Sequence, residues 1–304
     1  MNIVVLGAGA VGGYFGSKLA ANENVTFLVR PKRVKQLKKR GLRVQSTYGN
    51  FTIQPCIEVE AEKVISPQLV IVALKNYQLE QAVPQLETLV QNGAKILPLL
   101  NGVEHLDFLV SKFGEQQVLG GICYIESTLN EENDIIHTSQ LHDVVFGPIS
   151  DGDKPLLSNI RESFEQAAIP VTLSETIVVD MWKKFIFLST LSGITSVSRK
   201  PIVVALADPK LSQFSLDLIK EVVEIARAKE VKLPGDIVDT IFVKLENLSP
   251  TMTSSMHRDL EKGMPIELDS LQGFLVRSAE KYSIETPCLR AIYAILHPFK
   301  NGQI

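Results

Sequence analysis

The opening sixteen residues, MNIVVLGAGAVGGYFG, constrain the fold more than any other stretch of the chain. Asn2 to Leu6 is a short apolar run rich in β-branched residues, typical of a buried parallel strand. The pattern G-x-G-x-x-G follows at once, and small and apolar residues at helical spacing come after it. Such glycines permit a tight turn, a close approach of pyrophosphate to the backbone, and close packing of the helix on the sheet. We therefore predict that a dinucleotide turn binds cofactor phosphates at the helix N-terminus; its residues are Gly7, Ala8, Gly9, Ala10, Val11 and Gly12. The alternative is a glycine-rich turn in an ordinary α/β protein.

The residue that ends the second predicted strand, Asn24 to Val29, indicates which dinucleotide is bound. A carboxylate at this position accepts a hydrogen bond from the ribose 2′-hydroxyl of NAD. Here the position holds Arg30, followed by Pro-Lys-Arg, and a guanidinium matches the geometry of a phosphate. The sequence therefore predicts that NADPH or NADP binds, with Arg30 at the 2′-phosphate. Alternatively, these basic residues are only exposed to solvent at the start of the predicted helix 32–40.

Polar residues follow two further buried strands, predicted at Leu69 to Leu74 and Lys95 to Leu99. Ligands of open α/β sheets bind outside the carboxyl ends of the strands. Lys75, Gln78 and Asn101 are therefore predicted to lie on the cofactor side. A solvated lysine at a strand end and an ordinary Asn-Gly turn are the alternatives.

The remaining strand-like runs lie before residue 174. Leu42 to Thr47 and Phe51 to Gln54 predict a hairpin. Four shorter strands are predicted to complete the parallel sheet of the N-terminal strand: Val118 to Gly120, Ile122 to Ser127, Ile135 to Thr138 and Asp143 to Gly147. An edge strand is predicted at Val171 to Leu173. His137 and His142 have no partner pattern and are predicted to be structural.

The hydrophobic period becomes helical from about Ser174. The predicted fold class is α/β, with an N-terminal Rossmann-type parallel-sheet domain, residues 1–173, and a C-terminal all-helical domain, residues 174–304. The catalytic cleft is expected between the two domains.

A lysine in the long predicted helix Ile177 to Ser198 is the candidate proton donor. Lys184 shares a helix face with Leu188, Ser192 and Thr195, whereas Lys183 is predicted to be solvated. A half-buried lysine is expected to have a lowered pKa and to donate a proton near neutral pH, as carbonyl reduction requires. The pattern alone leaves a catalytic and a structural role for Lys184 equally open.

Composition limits the other classes of function. The 304 residues carry 31 Lys and Arg against 34 Asp and Glu, and the net charge of −3 predicts no general affinity for nucleic acid or membranes. No apolar run approaches a membrane span of about 20 residues, and the N-terminus lacks signal-peptide features. The three cysteines have no metal-ligand spacing, so we expect no metal and a cytoplasmic protein with reduced thiols.

Together these motifs make the chain similar to the ketopantoate reductase (2-dehydropantoate 2-reductase) family over nearly its whole length. The resemblance depends on the glycine pattern, Arg30, Lys75 with Gln78, and Leu-Asn-Gly-Val at 100–103. It depends further on Trp-Lys-Lys at 182–184 and the run Thr-Ser-Ser-Met…Gly…Glu…Asp…Gly from 253 to 273. It implies an NADPH-binding Rossmann domain joined to a helical domain, and reduction of 2-dehydropantoate to (R)-pantoate, a step toward pantothenate and coenzyme A.

The resemblance also implies roles for residues that local patterns leave undecided. Lys184 would be the general acid, and Glu267 would orient the substrate or the lysine. Ser255 would hydrogen-bond the substrate carboxylate, and Asn101 would help to place nicotinamide and substrate. Lys75 and Arg30 would contact the cofactor. From local pattern alone, a serine at 254 or 255 caps a helix and Glu267 is a solvated carboxylate.

The sequence departs from the family pattern where substrate polar groups bind. Family members commonly carry asparagines at the positions of Leu188 and Ser192, and often at that of Met252. Ser192 can still bind the substrate by a hydrogen bond, but Leu188 and Met252 cannot. A different 2-oxo acid is therefore the alternative substrate. A non-catalytic nucleotide sensor is the alternative outside the enzymes. The apolar helices of the second half can form a homodimer interface.

Overall fold

The computed structural model describes residues 1–302, which form two compact units. The first unit comprises Met1–Leu100 and His105–Ile177, and the second comprises Asn101–Glu104 and the chain from Val178 onward. The main division along the chain falls between Ile177 and Val178, and the domain boundary predicted between residues 173 and 174 stays a prediction. That the units act as a cofactor domain and a catalytic domain stays a prediction.

The first unit contains a five-stranded parallel sheet with the N-terminal strand at its centre. The strand order is β5-β2-β1-β6-β7, and every pairing in it is parallel. Its strands are β1 (Asn2–Leu6), β2 (Asn24–Leu28), β5 (Cys56–Glu58), β6 (Leu69–Val72) and β7 (Lys95–Pro98). The predicted fold class is therefore confirmed.

A second sheet in the first unit corrects one prediction. The strands predicted to complete the parallel sheet instead merge into two long antiparallel strands, β8 (Leu119–Leu129) and β9 (Ile135–Pro148). β9 pairs with β3 (Leu42–Ser46) and with β10 (Val171–Leu173), and β3 forms the predicted hairpin with β4 (Phe51–Ile53). Val118 does form a parallel bridge with Ile96 of β7, but the prediction of one sheet was wrong for the other strands. Strand pairing between distant segments leaves no local signal in alternating apolar residues.

The helices before residue 177 connect the strands of the two sheets. They are α1 (Ala10–Leu19), α2 (Pro31–Arg40), α3 (Val83–Gln91), α4 (Glu104–Phe113) and α5 (Lys154–Gln166). Short 3₁₀ helices lie at Ala61–Lys63, Asn76–Gln78 and Glu80–Ala82. Fully buried Tyr14 and Phe15 of α1 pack in a core with Ile3, Val5 and Phe27 of the sheet. This packing fixes the start of α1 directly after β1.

The second unit is helical, as the sequence predicted. Its helices are α6 (Ile177–Ser198), α7 (Ile202–Leu206), α8 (Pro209–Ala228), α9 (Ile237–Glu246), α10 (Ser255–Glu261), α11 (Phe274–Lys281) and α12 (Pro287–Leu296), with a 3₁₀ turn at His297–Phe299. A π-helix, Asp269–Gly273, directly precedes α11. Among residues 1–302, no helix has both the length and the apolar character that crossing a bilayer requires.

Candidate functional site

The dinucleotide turn connects β1 to α1 and has the shape that a pyrophosphate site requires. Gly7 has φ of +107°, and a Cβ there would lie 2.5 Å from the carbonyl oxygen of Ala73. A Cβ on Gly12 would lie 2.2 Å from the carbonyl oxygen of Gly7, so only glycine permits this approach of helix and turn. Gly9 is the N-cap of α1, and a Cβ there would meet no atom of residues 1–302 within 4 Å. The backbone is therefore tightly packed behind the turn and open in front of Gly9.

The N-terminus of α1 also suits an anion. The first turn of α1 contains no acidic side chain that would offset the partial positive charge at this end of the helix. Ala8, Ala10 and Val11 are half-buried around the same opening. The backbone of this chain at Gly7–Gly12 thus fits a dinucleotide pyrophosphate.

Arg33 contacts the dinucleotide turn, whereas Arg30 is exposed as the N-cap of α2. Arg33 Nη2 donates a hydrogen bond to the carbonyl oxygen of Ala8 at 3.4 Å, and Nη1 donates to Gln36 Oε1 at 2.6 Å. Burial lowers the pKa of Arg33 from its ordinary value, yet a guanidinium stays protonated near neutral pH. Sequence reasoning placed Arg33 only in a basic run. The available signal was its position in the first turn of α2, one turn after Arg30.

The β8–β9 connection holds the side chain that orients Arg33. Gln36 Nε2 donates to the carbonyl oxygen of Glu132 at 2.6 Å, and Glu132 also pairs with Arg40. Arg33 is therefore held by a neighbour that is itself anchored, which restricts the guanidinium before any ligand binds.

Lys75 and Gln78 lie in the turn that follows β6, the strand beside β1. The Lys75 backbone N–H donates to Gln78 Oε1 at 3.3 Å, and the Gln78 backbone N–H donates to the Lys75 carbonyl at 2.8 Å. Just before this turn, the Ala73 N–H donates to the carbonyl of Leu6 at 3.0 Å. Gln78 thus closes the turn with its side chain, and the half-buried Lys75 follows the same sheet edge as Gly7.

In the second unit, the structure brings Asn101 to the predicted proton donor. Lys184 is half-buried on α6, and its Nζ donates to Asn101 Oδ1 at 3.5 Å. Lys183 instead pairs with Asp180 at 3.4 Å and has a side chain 38% exposed. Two residues 83 positions apart, selected separately from the sequence, are therefore in contact.

The other predicted substrate residues differ in their surroundings. Ser254, not Ser255, caps α10: its Oγ accepts from the His257 N–H at 3.0 Å and lies 3.3 Å from Thr195 Oγ1. Ser255 is half-buried at the first position of α10, and Glu267 is buried just before the π-helix. Ser192 is fully buried, and its Oγ has no hydrogen-bond partner among residues 1–302.

Known proteins match this chain over nearly its whole length. The model of the family described as ketopantoate reductase PanE/ApbA matches residues 3–151, and the model of its C-terminal part matches residues 176–300. An uncharacterized oxidoreductase, YkpB, of Bacillus subtilis is 36% identical over 301 residues, 99% of each chain. A 2-dehydropantoate 2-reductase of Nostoc sp. is 26% identical over 302 residues, 95% of this chain and 92% of the relative.

Solved structures agree with these matches. A PanE/ApbA family ketopantoate reductase from Ralstonia eutropha superposes with a TM-score of 0.88 at 26% identity, covering 99% of this chain and 98% of the other. D-mandelate dehydrogenase, solved with NADH and anilino(oxo)acetate, has a TM-score of 0.87 at 20% identity with coverage of 99% and 98%, and it shares the fold. The chain is an oxidoreductase and belongs to the ketopantoate reductase family.

Proposed function

We propose that this protein is an NADPH-dependent 2-oxo acid reductase, with 2-dehydropantoate as substrate and (R)-pantoate as product. The observation that carries the proposal is a contact of the half-buried Lys184 on α6: its Nζ lies 3.5 Å from Asn101 Oδ1. An ammonium beside an amide oxygen can give a proton to a carbonyl oxygen. Membership of a reductase family supplies the reaction class in which such a donor is required.

The cofactor assignment is supported by the dinucleotide turn and by the cations beside it. The turn fits a pyrophosphate, and β2 is followed by Arg30 with no carboxylate. The Arg33 guanidinium lies against the same turn, where a 2′-phosphate would gain a charge-assisted hydrogen bond. When bound, the reduced nicotinamide would supply the hydride. Lys75 and Gln78 are proposed to contact the cofactor at the same sheet edge.

The proton and the substrate carboxylate are assigned to residues of the second unit. Lys184 protonates the carbonyl oxygen as negative charge develops on it, and Asn101 holds the ammonium and contributes to the placement of nicotinamide and substrate. Ser255 donates to the substrate carboxylate, and Glu267 orients the substrate or the lysine. Ser192 is also proposed to bind the substrate, because its buried Oγ has no hydrogen-bond partner among residues 1–302 and could pair with a ligand.

A different 2-oxo acid is the second candidate substrate, and particular residues favour it. Leu188 and Met252 are half-buried and cannot form the hydrogen bonds that asparagines would. The 36% identical relative is an oxidoreductase without an assigned substrate, and the similarly folded D-mandelate dehydrogenase was solved with an oxoacetate ligand. A cytoplasmic location and a homodimer stay predictions.

The test is NADPH oxidation with 2-dehydropantoate and a panel of other 2-oxo acids. Lys184→Ala is expected to lower kcat by about 10²- to 10⁴-fold, the usual contribution of a positioned general acid. Lys183→Ala, the adjacent lysine paired with Asp180, is the matched control and is expected to keep wild-type turnover. Equal turnover of Lys184→Ala and wild type would remove the proposed acid. NADPH binding without acceleration by any 2-oxo acid would instead support the nucleotide sensor.

A further inference from the structure

The segment that carries Asn101 is tied to the π-helix by one guanidinium. Arg277 on α11 donates from Nη2 to Glu104 Oε1 at 2.6 Å, and the same atom donates to the carbonyl oxygen of Asp269 at 3.1 Å. Glu104 ends the four-residue segment Asn101–Glu104 that belongs to the second unit. Arg277 therefore connects the first residue of the π-helix to the segment that positions the Lys184 ammonium.

The same segment packs directly on the π-helix. Gly102 has φ of +86°, and a Cβ there would lie 3.3 Å from the Ser270 carbonyl oxygen and 3.3 Å from Leu271 Cδ2. The Leu271 N–H and the Ser270 hydroxyl donate to the carbonyl oxygen of Glu267, at 3.1 and 3.2 Å. The π-helix thus contacts the residue after Asn101 and is hydrogen-bonded to the backbone of Glu267, and π-helical turns occur frequently at functional sites.

A glycine in the π-helix leaves space for the guanidinium. A Cβ on Gly273 would lie 3.1 Å from Arg277 Nη1 and 3.1 Å from Tyr293 Cε2. The Asp269 carboxylate anchors the start of the π-helix, because it accepts from Tyr293 Oη at 2.8 Å and from Lys300 Nζ at 3.2 Å. Burial raises the pKa of the Asp269 carboxyl, but the hydrogen bonds from Tyr293 and Lys300, together with the charges of Lys300 and His297, leave the net pKa below the ordinary value.

We propose that Arg277 is a positioning residue of the reaction, which holds Asn101 against Lys184 by joining Glu104 to the π-helix. This inference rests on the proposed function, in which Lys184 donates the proton. The Arg277 side chain is 51% exposed and that of Glu104 is 37% exposed, so the ion pair contributes little to global stability. Its loss is therefore expected to change kcat and to leave folding nearly unchanged.

The experiment compares Arg277→Met, Arg277→Lys and Glu104→Gln with wild type in 2-oxo acid reduction. Arg277→Met is expected to lower kcat about fivefold, which corresponds to about 1 kcal/mol. KM is expected to change less than about twofold, and the unfolding temperature to stay within about 2 °C of wild type. Arg277→Lys is expected to recover part of kcat, because an ammonium reaches one of the two acceptors but lacks the guanidinium fork. Glu104→Gln is expected to have an effect in the same direction.

Two further variants separate positioning from general damage. Arg290→Met removes an equally exposed arginine that pairs with Glu280 at 3.6 Å, and it is expected to keep wild-type kcat. Gly273→Ala places a methyl group against Arg277, so its loss of kcat is expected not to add to that of Arg277→Met.

The outcomes distinguish this inference from the function on which it rests. If wild type is active, Lys184→Ala is inactive and Arg277→Met retains wild-type kcat, the positioning role is wrong and the proposed function stands. If the losses in Arg277→Met and Arg290→Met are equal, the role is likewise wrong. An inactive wild type, or an active Lys184→Ala, overturns the proposed function and this role with it.

Discussion

The guanidinium of Arg33 lies against the carbonyl oxygen of Ala8, with Nη2 3.4 Å from it, and so touches the turn between β1 and α1. A cation in this position adds positive charge beside the α1 N-terminus, where cofactor phosphates are proposed to bind. Since Gln36 holds the other Nη atom at 2.6 Å, the guanidinium is ordered before a ligand arrives. Less side-chain entropy is then lost on binding.

Arg33→Met is expected to weaken binding of NADP and of 2′,5′-ADP by about 10- to 100-fold, because a hydrogen bond to a charged group contributes about 1.5–3 kcal/mol. Binding of 5′-AMP is expected to change much less. Titration calorimetry on the purified protein measures all three ligands without turnover. Lys35→Met, an exposed lysine of the same helix, is the control. An unchanged preference for 2′,5′-ADP over 5′-AMP in Arg33→Met would place the 2′-phosphate elsewhere, with Arg30→Met as the variant to examine next.

The leucine at position 188 is expected to relax substrate discrimination. Wild type should prefer 2-dehydropantoate over its analogue without the hydroxyl, 3,3-dimethyl-2-oxobutanoate, by less than about 10²-fold in kcat/KM, since the leucine offers that hydroxyl no hydrogen bond. Leu188→Asn is expected to increase this ratio at least about tenfold. Val197→Asn, a half-buried position near the end of α6, is the control. A wild-type ratio above about 10² would contradict the expectation and assign recognition of the hydroxyl to another residue.

Stability is expected to fall in acid through His142. Burial lowers the pKa of His142, with smaller lowering effects from Lys18 and His137 and an opposing effect from Asp143. The neutral ring lies with Nδ1 2.8 Å from Tyr14 Oη and is stacked on Tyr48, with ring centroids 4.3 Å apart. The unfolded chain therefore binds more protons below about pH 6.5, and the stability contributed by His142 is complete above that pH and is lost as pH falls below it.

The measurement is the free energy of unfolding by urea at pH 7 and at lower pH. His142→Gln is expected to reduce the pH dependence by up to about 1.4 kcal/mol per pH unit below pH 6.5, since it removes one titrating group. His297→Gln replaces an exposed histidine and serves as the control. If the free energy of unfolding changes with pH as steeply in His142→Gln as in wild type, His142 is not the source of the acid sensitivity.

The cysteines are expected to differ sharply in reactivity. Burial, together with the Glu221 carboxylate, raises the pKa of the Cys288 thiol to about 12, whereas Cys56 is exposed. Glu221 accepts from the backbone N–H groups of Cys288 and Leu289, both at 2.9 Å, so its charge is fixed beside the thiol. Because the thiolate is the reactive form, a thiol reagent at pH 8 should modify Cys56 much faster than Cys288. Mass spectrometry of Cys56→Ser should then find the fast phase absent; rapid labelling of Cys288 would contradict the expectation.

The dinucleotide turn and α6 could be predicted from the sequence, because each depends on residues that are close together in the chain. The dinucleotide turn was predicted because a tight turn after a buried strand requires glycine, and Gly7 indeed has a positive φ. α6 was predicted with its observed bounds, Ile177–Ser198, because the segment is long, largely apolar and contains no proline before Pro201. The π-helix was not predicted, since one additional residue in a turn does not change the apolar pattern of the surrounding helix.

Sequence alone thus determined the class of fold, the turn at residues 7–12 and the helix that carries Lys184. Tertiary structure decided the rest: that β8 and β9 join β3 in a second sheet, that Arg33 touches the turn while Arg30 is exposed, and that Asn101 lies beside Lys184. The physical reason is that turns and helices depend on residues a few positions apart, so their determinants are visible in any short window of sequence. Contacts between residues 25 or 83 positions apart depend instead on how the elements pack, which no single stretch of the chain encodes.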